Sequence, residues 1–414
     1  MNIHRFHVIS LPHLATNKKN SPCAYTQKVR LFCQMMKSLG HVVYFYGPEG
    51  SEVECDDFAQ IISTKEQEQL YGVHPTESMY PLEWKAELPI WVVTNRNAVV
   101  EIHKRKQPKD FICIIGGNCQ QYIAENVGPD VFVVEYGIGY EGVFSQFRVF
   151  ESYSHRSQIM GLNRQYNSMS FYDAVIPNYY DVNDFPYPHE RENYCLYIGR
   201  LTKMKGVEIA VAATEAVRIP LLIAGQGITE KHTTKIITKD FTIDKPHVKY
   251  IGVLGYEERA KVMGAAKAVL VPTVYNGPFE GVAAESALTG SPVVSSDFGN
   301  FNETVEHGKT GFRCNNLRQF VEALKRVDNL DRNYIRQRAI SLWSIDRVKW
   351  MYQEYFDHIV AGVGTGWGRL DLPCSLDCLA PMPSQSDQQT AQDEPRHAIP
   401  SFPILGQDNT RIGA

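Results

Sequence analysis

Between residues 194 and 327 the chain alternates short apolar runs with stretches of helical periodicity, and this alternation constrains the fold more than any other feature. Strands are expected at 194–198, 221–224, 248–251, 268–272 and 292–295, with helices at 207–217, 257–265, 282–288 and 317–327. Strand and helix in strict succession imply a parallel sheet, because parallel neighbours need long crossover connections that cover both faces. Ligands of such sheets bind outside the carboxyl ends of the strands.

The first half uses the same grammar less cleanly. Strands are expected at 6–11, 41–46, 90–94, 111–115, 131–135 and 173–178. Residues 24–39 form an amphipathic helix, with Val29, Phe32, Cys33, Met36 and Leu39 at helical spacing. Residues 147–160 also read as helical. Pro186 and Pro188 lie among charges in a segment composed like a linker. Two last helices are expected at 331–343 and 344–360, the second capped by Ser344. Beyond residue 362 apolar periodicity is lost, and a disordered tail is expected.

A chain of 414 residues accommodates two ordinary domains, and 43% hydrophobic residues supply their cores. The expected division is 1–180, a linker at 181–193, a second domain at 194–343, a returning helix at 344–361 and the tail at 362–414. A formal net charge of −4 argues against nucleic-acid binding driven by bulk charge. No apolar run reaches the roughly 18–20 residues of a membrane span. Nine scattered cysteines fit a reduced, cytoplasmic setting, and Cys374 and Cys378 read as free thiols in the tail. Lys18, Lys19, Lys28, Arg30 and Lys37 make the first helix region basic. They read as a solvated face or as a peripheral contact with an anionic surface.

Two segments carry chemistry. In Tyr197-Ile198-Gly199-Arg200-Leu201-Thr202-Lys203-Met204-Lys205-Gly206, Arg200 leaves a strand end and Lys205 follows about one turn later. Fixed cations near a helix amino end are unfavourable unless an anion is bound there. The segment Gly277-Pro278-Phe279-Glu280-Gly281-Val282-Ala283-Ala284-Glu285 is a Gly-rich loop opening a helix, whose free amides suit a phosphate. Gly225, Gln226 and Gly227 follow another strand. Together these strand ends point to one cleft and a diphosphate-bearing ligand. Glu285 sits on a helix of small residues, where a buried acid needs a partner.

The ordered set Gly199-Arg200-Leu201, Lys205-Gly206, Ala224-Gly225-Gln226-Gly227, Val271-Pro272-Thr273, Pro278-Phe279 to Glu285, Gly290-Ser291-Pro292 and Glu303 to Phe312 resembles the retaining glycosyltransferases of family 4. The resemblance covers about residues 1–360. It implies a GT-B fold, in which two Rossmann-like domains with parallel sheets face each other across a cleft. The first domain would hold the acceptor, the second a nucleotide-sugar donor, and the last helix would return to the first domain.

The resemblance also implies roles. Arg200 and Lys205 would neutralise the donor diphosphate, and Glu285 would bind ribose hydroxyls. Gly225, Gln226, Gly227, Pro278, Phe279, Gly281 and Val282 would line the donor site. Tyr25 and Thr26 at the first helix start, Gly137 and Gly139 after a strand, His155 and Asn178 fall on the acceptor or sugar side, His155 reading equally as a surface residue. Gly277 stands where the family has a glutamate, so Glu280 either supplies that carboxylate three positions later or is an unrelated surface acid.

The expected activity is transfer of a hexose, with retention, from a UDP-sugar first and a GDP-sugar second. The hydroxyl acceptor is left open among glycan, lipid-linked, small-molecule and nucleic-acid types. No cofactor and no metal are expected, since Asp-x-Asp clusters are absent from the cleft strands. A GT-B protein that binds nucleotide-sugar without transfer, as a partner subunit, is the other reading. A phosphorylase or epimerase on the same fold is a third.

Overall fold

A computed structural model describes residues 2–73, 83–165, 170–188, 190–230, 232, 235–364 and 366. The expectations for Cys374, Cys378 and nearly all of the tail lie outside the described residues. The first half builds one sheet from β1 (Arg5–Ile9), β2 (Val42–Pro48), β3 (Asp57–Ile62), β4 (Phe111–Ile114), β5 (Phe132–Ile138), β6 (Phe147–Phe150) and β7 (Asp173–Val175). The order is β3-β2-β1-β4-β5-β6-β7, and every pairing is parallel. Strand β4, Phe-Ile-Cys-Ile, is buried along its whole length, as a central parallel strand covered on both faces must be.

The second half contains β8 (Cys195–Ile198), β9 (Leu221–Ala224), β10 (Ile228–Glu230), β11 (Ile236–Thr238), β12 (Thr242–Ile243), β13 (Val248–Tyr250), β14 (Ala268–Val271), β15 (Val293–Ser296) and β16 (Gly311–Cys314). Six of them form a parallel sheet in the order β13-β9-β8-β14-β15-β16, while β10, β11 and β12 make a small antiparallel flap. In each large sheet the order reverses beside the first strand of that half. The crevice at such a switch point is where ligands settle.

Three sequence expectations need correction. Residues 90–94 are not a strand but the start of the helix Pro89–His103. The β-branched run Val92-Val93-Thr94 suggests a strand, yet Pro89 opens a helix and Ile90, Thr94, Ala98 and Ile102 fall on one buried face. Residues 147–160 are not one helix. They divide into β6 and the helix Tyr153–Leu162, separated by Ser152, whose side chain caps the helix. Strands β3 and β16 and the antiparallel flap have no counterpart in the sequence reading. In the segment after Tyr180, Phe185 is buried in the core of the second half.

The helix Ile345–Gly362 belongs to the core of the first half. Its Val348, Met351, Tyr352, Tyr355, Phe356 and Ile359 pack with Phe6, Phe32 and Phe111. The Phe356 ring lies 4.6 Å from that of Phe6 and 4.7 Å from that of Phe111. The chain therefore crosses between the halves twice, and the crossings are joined. Tyr180 N donates to Trp343 O and Ile345 N donates to Tyr180 O, each at 2.9 Å. No helix among the described residues is long and apolar enough to cross a membrane.

Candidate functional site

The strand ends of both sheets wall one cavity of about 410 Å³. Its charged lining is Lys28, Arg200, Lys205 and Arg259 against Glu151, Glu280 and Glu285, so four cations face three carboxylates. Three of the cations are paired. Arg200 makes no ion pair among the described residues, and it is exposed to the cavity beyond the end of β8.

The backbone that presents these cations depends on two glycines. Gly206 has φ +67° and closes the short turn Lys203–Lys205 before the helix Val207–Val217. A Cβ there would collide with the Pro272 carbonyl oxygen. Gly225 has φ +137°, and a Cβ would run into the Gly199 carbonyl, so the ends of β8 and β9 approach closely only without a side chain. Gly225 and Gln226 line the cavity. Gly227, with φ +121°, does not, and it packs close to Leu201.

Lys205 Nζ donates to both Glu280 oxygens at 2.7 Å and lies 4.8 Å from the Tyr275 ring centre. Glu280 is the N-cap residue of the helix Gly281–Leu288 and holds a left-handed φ of 56°, a conformation that costs a non-glycine residue free energy. Its carboxylate is buried inside the loop and is not a surface acid. A Cβ placed on Gly277 would overlap Glu280 Oε1. The carboxylate of residue 280 thus occupies the space that a side chain at 277 would fill. Pro278, Phe279, Gly281 and Val282 also line the cavity. Glu285 has the partner that its burial demands: Arg259 Nη2 and Nε lie 3.0 Å from its two oxygens. Burial raises its pKa, and Arg259 works against that rise.

From the first half, the helix Ala24–Ser38 points its start at the cavity through Ala24 and Tyr25. Tyr25 Oη donates to Gly139 O at 2.8 Å. Asn178 Nδ2 donates to Glu151 Oε2 at 3.1 Å, and Lys28 Nζ is in ion-pair contact with Glu151 Oε1. Thr26 and Gly137 lie behind this wall and do not line the cavity. Neither does His155, which is 3% exposed and therefore not a surface residue. Burial lowers its pKa to about 4, so its imidazole is neutral near pH 7.

The reading of the basic helix face as solvated is corrected at Lys28, which is buried. Lys18 pairs with Asp184 at 2.5 Å and Lys37 with Asp56 at 2.7 Å. Sequence reasoning also missed Glu151, Arg259 and Tyr275. Glu151 is the residue after β6, where the strand-end rule would have found it had 147–150 been read as a strand.

The halves also grip each other directly beside the cavity. Tyr153 N and Ser154 N, at a helix start in the first half, donate to the two oxygens of Glu303 at 2.9 and 2.8 Å. Ser152 Oγ donates to Pro278 O at 2.6 Å.

Residues 192–329 match the family model of group 1 glycosyl transferases. Glycogen synthase of Mycobacterium tuberculosis is 32% identical over 157 residues, covering 34% of this chain and 36% of that one. The chain thus spans little more than a third of the length of that curated relative. Among solved structures, AviGT4, a glycosyltransferase involved in avilamycin A biosynthesis, covers 87% of this chain and 99% of its own at 17% identity and a TM-score of 0.58. HepE of Anabaena, solved in complex with UDP and glucose, covers 85% and 98% at 13% identity and a TM-score of 0.55. With its two parallel sheets around one cleft, the chain has the GT-B fold, and residues 192–329 of its second half are similar to group 1 glycosyl transferases.

Proposed function

We propose that the protein is a retaining glycosyltransferase that takes a hexose from a nucleoside diphosphate sugar, UDP first and GDP second, and passes it to a hydroxyl without a metal. The observation that carries this reading is Arg200. It is the one cavity-lining cation among the described residues without a carboxylate, beside Lys205 and the start of the helix Gly281–Leu288. A cavity with one cation in excess, next to free helix amides, suits a diphosphate. The match to group 1 glycosyl transferases supports the donor class, and the UDP and glucose bound to HepE support the order of the bases.

In the proposed reaction the acceptor oxygen bonds to the anomeric carbon on the face from which the phosphate oxygen departs. The acceptor proton passes to that phosphate oxygen. Arg200, Lys205 and the amides of Gly281 and Val282 stabilise the charge growing on the diphosphate. Lys205 turns from Glu280 to the incoming phosphate. Glu280, released, accepts from a sugar hydroxyl in the place of the family glutamate missing at Gly277.

The test is turnover of UDP-glucose and GDP-mannose, read as nucleotide release, with the product anomer read by NMR. Wild type is expected to release nucleotide and keep the donor's anomeric configuration. An inverted anomer contradicts the retaining assignment. The second reading, nucleotide-sugar binding without transfer, is favoured by the two-oxygen grip of Lys205 on Glu280. Tight binding with no release on any acceptor would establish it.

A further inference from the structure

The first half adds a polar group to the cavity wall that donor binding leaves unused. Lys28 comes from the first helix, Glu151 from the end of β6 and Asn178 from the segment after β7. The Lys28 and Glu151 side chains are 9% and 3% exposed and in ion-pair contact. Asn178 fixes one Glu151 oxygen, while the other meets Lys28 and no other donor among the described residues. The Tyr25 ring centre lies 4.4 Å from Lys28 Nζ. Gly139 leaves the space between this group and the donor loop open. A Cβ there would stand 3.0 Å from Tyr25 Oη, 3.2 Å from Glu151 Oε1 and 3.4 Å from Pro278 Cβ.

Lys28 and Glu151 are the only charged residues that the first half contributes to the cavity wall among the described residues. Burial pushes the Lys28 pKa down to about 7, and the nearby Cys23 works against that fall. With the lysine protonated and the glutamate ionised, the pair in contact carries no net charge. A hydroxyl suits such a pair because it donates to the carboxylate and accepts from the ammonium. A phosphate only accepts. It would meet Glu151 with no spare cation to offset the repulsion, a device that excludes as well as selects.

We propose that Lys28, Glu151 and Asn178 bind the acceptor, and that the acceptor is an uncharged polyhydroxy compound, a sugar or cyclitol, rather than its phosphate ester. This rests on the transferase reading above. The experiment measures nucleotide release from UDP-glucose and GDP-mannose with glucose, galactose, myo-inositol and glycerol, each beside its phosphate monoester. Nucleotide-induced thermal stabilisation serves as a separate check on the donor site. At least one neutral compound is expected to stimulate release by about ten-fold over its ester. Glu151→Gln, which leaves Lys28 unbalanced, should narrow or reverse that ratio, and Asn178→Ala should raise KM for the neutral acceptor more than it lowers kcat. Preference for the esters, no stimulation by any neutral compound while nucleotide binding persists, or an unchanged ratio in Glu151→Gln overturns the proposal. If Glu151→Gln no longer responds to nucleotide, the wild-type panel and Asn178→Ala decide it. Absence of nucleotide binding in wild type overturns the transferase reading and this one with it.

Discussion

The two walls of the cleft handle charge differently. The second half offers Arg200 with no carboxylate against it among the described residues, beside a lysine held by one glutamate. The first half offers one lysine and one glutamate that cancel. The first arrangement suits a ligand that arrives with charge, and the second suits one that arrives with hydroxyls. The contrast also shows why a count of basic residues around the first helix misleads: Lys28, Lys18 and Lys37 all have carboxylate partners in the fold.

The sharpest way to break this comparison is to remove charge from the second wall. Arg200→Ala is expected to lower nucleotide release by about 100-fold or more, the scale of deleting one preorganised transition-state donor. Release within a few-fold of wild type would show that the unpaired cation does not serve the donor. Glu280→Gln separates binding from chemistry. Transfer should fall by about 100-fold while nucleotide affinity stays within a few-fold, because Lys205 loses only an internal partner. Unchanged turnover would reduce Glu280 to a structural acid.

Two further substitutions test the frame that sets the walls face to face. Phe356→Ala opens a cavity in the core shared by the returning helix and the first sheet, and should cost about 3–5 kcal/mol in chemical denaturation. A loss under about 1 kcal/mol would contradict the packing of that helix. Glu303→Gln weakens the bridge to Tyr153 N and Ser154 N. It should cost only about 1 kcal/mol and raise KM for the donor, with the radius of gyration by X-ray scattering rising as the halves part. No change in either would show that the bridge does not hold the halves together.

The second wall was the legible one, for a physical reason. A strand end followed by a helix start is made of consecutive residues, so Gly199 to Gly206 and Gly277 to Glu285 each carry their geometry in one stretch of sequence. The first wall is assembled from a helix side chain and two strand ends far apart in the chain, and no local pattern links Lys28, Glu151 and Asn178. The same limit explains the two errors of secondary structure. Both Ile90–Thr94 and Phe147–Phe150 are short apolar runs, whose conformation depends on what packs against them as much as on their own residues. The cap at Ser152 was readable in the sequence and would have divided strand from helix correctly.

The most direct test of the unbalanced cation is thermal unfolding of wild type and Arg200→Ala with UDP, GDP, ADP and CDP. A ligand at about 100 times its Kd stabilises the folded state by about 2.7 kcal/mol, a shift of a few degrees in a chain of this size. A shift with UDP, or failing that with GDP, is expected, and it should disappear in Arg200→Ala. An equal shift in the variant, or none with any nucleotide in wild type, would contradict this expectation.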